Sequence, residues 1–444
     1  MSDFTPTSSQ AAAIERRGGA TLVSAGAGSG KTKVLIERLM RYVRDEAHPT
    51  DLDSFLIITF TKAAAGELRG RITGELSQAL ALDPGSRRLR RQSALVRRAR
   101  IGTIHSFCAA LLRENAHRAG LSPDFRIADE ERAAAMKAAA LERTLERCYE
   151  KQEELPGFAL LADTVGAGRD DRRLAELTLT LYDKMQCHAR PERWAAEQVA
   201  LLRERAGDVG ETPWGREILA RAAEKLDYWC AEFDRLTPLV TQDEKIRKAY
   251  SPSFDETATA LRALRRALDR GWDAAREALP IPFPALGKLL KYGDPATADF
   301  VKDRRAVCRK AMDGLAATFA SPSARLLADM AATEPAMSAL LRLVLDFEKE
   351  YARDKRRLNL VDYADLEHMA ARLLTGEDGS PTELARRFAE RCTEIMVDEY
   401  QDVSRVQDAI FRAVSRDGKN LFLVGDVKQS IYRFRLADPT IFTE

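Results

Sequence analysis

Residues 24–32 read SAGAGSGKT, with the apolar run Ala20-Thr21-Leu22-Val23-Ser24 leading into them and the stretch Lys31 to Arg44 leading out. A buried strand, a turn of small residues and a helix, in that order, are what a phosphate-binding loop requires. Small side chains let the backbone N–H groups of Ala25, Gly26, Ala27, Gly28, Ser29 and Gly30 turn inward around phosphate oxygens, and the helix N-terminus adds a partial positive charge. Lys31 is placed to meet the β- and γ-phosphates of ATP, and the Thr32 hydroxyl to meet Mg²⁺. The strict pattern has glycine at position 25. Alanine serves there if that residue does not need a positive φ.

Working outward, Ser54 to Phe60 (SFLIITF) is a second apolar run followed by a helical pattern. Short apolar runs return at Thr393 to Val397 (TEIMV) and Asn420 to Val424 (NLFLV). Continuous apolar strands alternating with helices predict a parallel sheet covered on both faces. Between these pieces the chain is rich in Ala, Leu, Arg and Glu, with apolar residues at helical spacing and only Phe125 to Ala128 extended. Breaks fall at Pro156-Gly157, Gly210 to Gly215 and Leu279 to Pro284. The expected organisation is an α/β domain begun by about 1–118, interrupted by a mostly helical insertion of about 119–350, and resumed by about 351–444. All four tryptophans (194, 214, 229, 272) lie in the insertion, where they are expected to fill cores between helices.

The 444 residues carry a formal net charge of only +2, so any contact with a polyanion must be local. No stretch of 18 or more apolar residues occurs, and the first residues lack the layout of a signal peptide. Six cysteines lie far apart without a CxxC pair, which reads as reduced thiols in a cytoplasm rather than zinc ligands or disulfides. Cys108 is expected to be a buried thiol, not a nucleophile.

A nucleotide hydrolase needs a carboxylate at the end of a neighbouring strand, and Ile395-Met396-Val397-Asp398-Glu399 supplies two. Asp398 is the candidate Mg²⁺ ligand, and Glu399 the candidate for orienting and polarising the attacking water. An acidic pair is a weak signal alone and a strong one beside a phosphate-binding loop.

SAGAGSGKT, TFTKAAAGELRGRI (59–72), GTIHSF (102–107), VDEYQD (397–402) and VGDVKQSIYRFRLADP (424–439) resemble, in this order, the motifs of superfamily 1 helicases of the UvrD type. TIHSF, FRIADE (125–130), VDEYQD and GDVKQSIYRFRLADP narrow the resemblance to the AddA branch, the helicase-bearing members of AddAB-type helicase–nuclease complexes. The likeness covers both α/β pieces closely and the insertion by position and texture alone. It implies a RecA-like P-loop NTPase domain with a large helical insertion, ATP and Mg²⁺ as ligands, single- and double-stranded DNA as partners, a partner of the AddB type, and a place in double-strand-break repair and recombination. It also implies roles. Gln10 would read adenine through its amide, and Gln429 would contact the γ-phosphate. Phe60, Tyr432 and Phe434 would stack on bases, while Thr61, Thr103, His105 and Arg435 would touch the DNA strand. Leu358 to Leu374 resembles the helix by which the family re-enters its α/β domain.

Plainer readings stand beside these. Phe60, Tyr432 and Phe434 fit a core, and His105 fits a hydrogen-bonded structural residue. A P-loop NTPase that handles no DNA, or a non-catalytic DNA-binding module, are the competing functions. The pairing of GTIHSF and QSIYRFR with the P-loop separates the first from a helicase. Arg87 to Arg100 (RRLRRQSALVRRAR) reads either as a solvated helix face or as a phosphate-tracking surface. The second option predicts that charge reversal at Arg90, Arg91, Arg97 and Arg98 flattens the salt dependence of DNA binding. The sequence ends at Glu444, soon after Pro439. The resemblance implies a second RecA-like domain with catalytic arginines beyond that point. The expectation is therefore that this polypeptide alone binds nucleotide weakly, turns it over slowly and does not unwind DNA.

Overall fold

The computed structural model describes residues 5–26, 28–166, 171–204, 206–289, 295–426 and 441. Two compact units emerge. One comprises 1–197 and 339–444, the other 198–338. The end of strand–helix alternation near residue 118 is thus not the edge of a compact unit. Helices Glu130–Glu150 and Arg172–Met185 bury Leu141, Leu174 and Tyr182 within the first unit. Tyr182 meets Phe347 edge-on, with ring centroids 5.1 Å apart.

The first unit is built on strands β1 (Thr21–Ser24), β2 (Phe55–Ile58), β3 (Arg100–Gly102), β6 (Glu394–Val397) and β7 (Leu421–Gly425), while β4 (Arg126–Ile127) and β5 (Leu360–Val361) pair separately. Among the described residues the main sheet has the order β1-β7-β6-β2-β3, every pair parallel. Alternate strand residues feed two cores. Phe55, Ile57, Met396, Phe422 and Val424 join one cluster, and Leu56, Ile58, Ile395, Val397, Leu421 and Leu423 the other. Both faces of β2, β6 and β7 are covered, so these strands are nearly continuous apolar runs, as predicted, with Glu394 the exception. The expected burial of β1 holds only in part, because Leu22 is 48% exposed and Ser24 is exposed.

The helices around the strands are α1 (Ser8–Glu15, before β1), α2 (Lys31–Arg44), α3 (Lys62–Leu82), α4 (Arg87–Leu95) and α5 (Ile104–Glu114). The α2 helix starts at Gly30, whose φ of +80° is cheap only for glycine. It buries Val34, Leu35, Leu39, Met40 and Val43, and Arg41 and Arg44 in its last turn complement the dipole. The α3 and α5 helices are capped by Thr61 and Thr103, whose hydroxyls accept from Ala64 N (3.0 Å) and Ser106 N (3.3 Å).

One buried ion pair ties α2 to the sheet. Arg38 and Glu394 have side chains 1% and 3% exposed and meet in a two-pronged contact of 2.8 and 2.6 Å. Arg38 Nη1 also donates to Ala13 O at 2.6 Å, and its guanidinium lies 4.5 Å from the Phe422 ring centre.

The second unit is a helical assembly. Helices Pro213–Gln242, Glu244–Leu268 and Pro295–Thr318 enclose Trp229, Phe233, Phe254 and Trp272. Trp229 and Trp272 are buried as expected, whereas Trp194 (in the first unit) and Trp214 are half-buried. No described helix is long and apolar enough to cross a membrane.

Candidate nucleotide and DNA site

In a parallel sheet, side chains beyond the C-terminal ends of the strands converge on one edge. The register makes this concrete. Ser24 is level with Gly425, Val397 with Leu423, and Ile58 with both Val397 and Gly102. The P-loop, the acidic pair, Phe60-Thr61 and Thr103 to His105 therefore emerge together.

At the nucleotide end, Gly28 and Gly30 hold φ values of +73° and +80°. Ala25 does not take a positive φ, which is why alanine fits, and its N–H donates to Gly425 O at 3.1 Å. The Ser29 hydroxyl donates to Gly26 O at 2.7 Å, closing the loop on itself. Lys31 has a side chain only 9% exposed, and its Nζ has no hydrogen-bond partner; the nearest opposite charge, Glu399 Oε2, lies 3.8 Å away. The Thr32 hydroxyl is 3.4 Å from Asp398 Oδ2. Burial, then the neighbouring Glu399 charge, raises the Asp398 carboxyl above its ordinary pKa, with Lys31 and Thr32 opposing.

Glu399 sits in the left-handed region, with φ +55° and ψ 42°. That conformation is rare for a non-glycine residue and costs on the order of 1 kcal/mol. Gln401 holds it there, as Nε2 donates to Glu399 Oε2 (2.8 Å) while Oε1 accepts from Asp426 N (2.8 Å). The end of β6 is thereby laced to the end of β7. Spacing in the sequence points to the acidic pair and not to Gln401, whose role depends on a contact 25 residues away. A cleft of about 350 Å³ opens beside these groups, bounded by Thr32, Phe60, Thr61, Asp398 and Glu399.

Gln10 reaches the P-loop. Its Nε2 donates to Ser29 O at 2.9 Å and its Oε1 accepts from Thr7 N at 2.9 Å, completing a capping box on α1. Both ends of the amide that would read adenine are engaged within the chain.

At the other end of the edge, Phe60 is half-buried and Thr61 exposed, while Thr103 is buried. Helix capping gives both threonine hydroxyls a local role. His105 Nε2 lies 2.9 Å from Glu367 Oε1, and the same oxygen accepts from Gln407 Nε2 at 2.7 Å. The His105 ring lies 4.6 Å from that of Tyr363, which is 40% exposed. Tyr363 and Glu367 begin the helix Tyr363–Leu374. That helix is legible in the sequence, but none of its residues stands out there as part of a site; the available signal is an aromatic in its first turn. Cys108 is fully buried, and burial pushes its thiol well up. Ala27, Gln429, Tyr432, Phe434 and Arg435 lie outside the described residues.

The helix carrying Tyr363 is anchored by a buried trio. Lys355 Nζ lies 3.0 Å from Asp362 Oδ2 and 2.6 Å from Asp365 Oδ2. Burial and the Asp362 charge push the Asp365 carboxyl from 3.8 up to about 6. The folded state thus holds this proton more tightly than the unfolded chain. The resulting stabilisation is complete below the ordinary value and disappears as pH rises through about 6. Between pH 5 and 7.5 the loss is on the order of 1 kcal/mol. Urea unfolding at these two pH values should show that loss in the wild type relative to Asp365→Asn, which keeps an oxygen for the Asp362 N–H. Parallel pH dependences in the two proteins would refute the assignment.

The arginine run divides by what each side chain touches. Arg88 donates to Val43 O (2.7 Å) and Thr50 O (3.3 Å), and Arg91 pairs with Asp51 at 2.5 Å. Their partners lie in the last turn of α2 and in the segment that leads from it into β2, at the N-terminal end of that strand. The run therefore does not border the cleft.

The UvrD/REP helicase N-terminal domain family matches residues 6–444. Among curated relatives, an ATP-dependent helicase/nuclease protein of the AddA kind from Ruminiclostridium cellulolyticum is 35% identical over 456 residues, covering 100% of this chain and 36% of that protein. The protein of the same name from Desulforudis audaxviator is 38% identical, covering 100% of this chain and 37% of its own length. A third, from Acetivibrio thermocellus, is 37% identical over 95% of this chain and 35% of itself. The chain thus spans about a third of the length of these relatives. Family match, parallel sheet and motif placement agree: the chain belongs to the UvrD/REP helicase N-terminal domain family.

Proposed function

We propose that this chain is the ATP- and single-stranded-DNA-binding part of an ATP-dependent DNA helicase of the AddA type, acting in double-strand-break repair and recombination. The observation that carries the reading is the buried Lys31 ammonium, which makes no hydrogen bond and has only Glu399 at 3.8 Å, beside Thr32 and Asp398. Such a group is costly unless a ligand completes it, and a nucleotide phosphate is that ligand. Mg²⁺ fits the donor set. Among the described residues no cluster of three His, Cys, Asp or Glu could hold a metal. The Thr32–Asp398 pair suits an ion that takes its other oxygens from phosphates and water. Bound there, Mg²⁺ would neutralise phosphate charge. Glu399, hydrogen-bonded by Gln401, would orient a water and accept its proton.

DNA would run along the same edge, past Phe60, His105 and Tyr363. The relatives' name supports a link to a nuclease function, and a protein of the AddB type is the partner we propose. Tyr363 joins the proposed contacts because its ring is exposed and packed on His105. Stacking one base is worth about 1–3 kcal/mol. His105→Ala with Tyr363→Ala should therefore weaken binding of an oligo-dT strand roughly 5- to 150-fold, measured by fluorescence anisotropy, with Mg²⁺-ATP binding retained. Equal affinity of the variant and the wild type would remove DNA from this edge and favour a P-loop NTPase of another kind.

A further inference from the structure

From Asp83 to Glu114 the sequence holds eight arginines and no intervening Asp, Glu or Lys. Arg88 and Arg91 are used internally, Arg90 donates to Pro84 O, and Arg100 lies 4.9 Å from the Phe388 ring centre. That leaves Arg87, Arg97 and Arg98. All three are exposed, and no described carboxylate lies within ion-pair distance of them. Elsewhere in the chain exposed arginines are commonly paired with a carboxylate one helical turn away, as in Arg71–Glu67, Arg193–Glu197 and Arg221–Glu217.

Stability does not explain this arrangement. Arg87 and Arg88 occupy the first turn of α4, which carries no acidic residue. Cations there oppose the helix dipole, typically by about 0.3–1 kcal/mol each. Arg97 and Arg98, adjacent in the chain just past the other end of α4, add like-charge repulsion between themselves. An external anion would offset both.

We propose that Arg87, Arg97 and Arg98 form a second nucleic-acid contact, beyond the N-terminal ends of β2 and β3, that takes the phosphodiester backbone. It lies on the sheet edge opposite the nucleotide cleft and does not depend on DNA binding there. Two features favour nucleic acid over an acidic protein. The cluster is built of arginines alone, whose planar forks match phosphate oxygens. Its apolar neighbours Leu89, Val96 and Ala99 are buried inward, leaving Leu82 as a lone exposed apolar side chain nearby rather than the apolar centre that a protein interface needs. Arg91 is held by Asp51 and Arg90 by the Pro84 carbonyl, so neither is a free phosphate ligand.

The test uses the full chain, a short labelled duplex and an oligo-dT strand, each titrated across a KCl series. Neutralising one phosphate contributes about 0.9 to the log–log salt slope for duplex and about 0.7 for single strands. The triple variant Arg87→Glu, Arg97→Glu, Arg98→Glu should lower the duplex slope by about 2 to 3. The triple Arg→Lys variant should keep most of it. A fall with duplex alone assigns the patch to double strands; a fall with both assigns it to either form. Mg²⁺-ATP binding should be unchanged and the melting temperature should not fall, since Arg87→Glu places an anion in the first turn of α4, which separates loss of contact from loss of fold. The His105→Ala, Tyr363→Ala variant should keep the slope while losing oligo-dT affinity, so failure of the cleft-edge reading and failure of this one are distinguishable. Unchanged slopes for both DNAs in a folded Glu variant would overturn the proposal, even if the patch captured an acidic peptide.

Discussion

Replacing Glu394 by alanine should lower the unfolding free energy by about 3–5 kcal/mol, the usual cost of breaking a buried ion pair from one side. The loss would come chiefly from the partner left behind. Arg38 is 1% exposed, so its guanidinium would lie in the core with its Ala13 carbonyl contact and no counter-charge. The Tyr42 hydroxyl, 3.3 Å from Glu394 Oε1, would lose its acceptor as well. A domain has only about 5–15 kcal/mol in total, so the variant should be largely unfolded under mild denaturant. Replacing both partners with apolar residues, Arg38→Met with Glu394→Leu, should restore most of the loss, because no buried charge remains. Urea denaturation of the two variants beside wild type decides it. A single-variant loss below about 1 kcal/mol would mean that water reaches the pair. The pair also has a positional consequence. It fixes α2 to the start of β6, and α2 begins at Lys31 while β6 ends one residue before Asp398. The two halves of the nucleotide site are therefore braced from the far edge of the sheet.

Lys31→Met should move stability and binding in opposite directions. Without a ligand the Lys31 ammonium is buried and makes no hydrogen bond. Removing it relieves a penalty of about 1–3 kcal/mol, so the ligand-free protein should unfold at higher denaturant. The same change deletes a charged hydrogen bond to phosphate, worth about 1.5–3 kcal/mol, and should weaken Mg²⁺-ATP binding roughly 10- to 150-fold. A structural lysine would show the first sign reversed and the second effect absent. Thermal melting with and without Mg²⁺-ATP reads both at once: the variant should melt higher alone and gain less from the nucleotide. If the variant is less stable without ligand, Glu399 at 3.8 Å is a better partner than its distance suggests.

Much of the site follows from local sequence. A phosphate-binding loop is a strand, a turn of small residues and a helix in succession, so SAGAGSGKT announces itself, and the helix it opens runs from Lys31 to Arg44 as the pattern predicts. The acidic pair sits at a strand end because an apolar run stops there. Alternation of strands and helices marks the sheet as parallel and covered on both faces, because strands buried on both sides read as near-continuous apolar runs. These features report on neighbours along the chain, where backbone hydrogen bonding and side-chain period leave a direct trace.

Tertiary structure alone decided the rest. It paired Arg126-Ile127 with Leu360-Val361 across the whole helical segment. It brought Glu367, Gln407 and Tyr363 to His105, joined Arg38 to Glu394, and set Gln401 between Glu399 and Asp426. It sent the arginine run to the edge away from the cleft, though in sequence that run almost touches the GTIHSF motif. The reason is the geometry of a parallel sheet. Each strand must be re-entered from the same end, so residues just before and just after a short strand fall on opposite edges, while residues hundreds of positions apart become neighbours. Periodicity along the chain carries the element; only the crossover connections carry the partner.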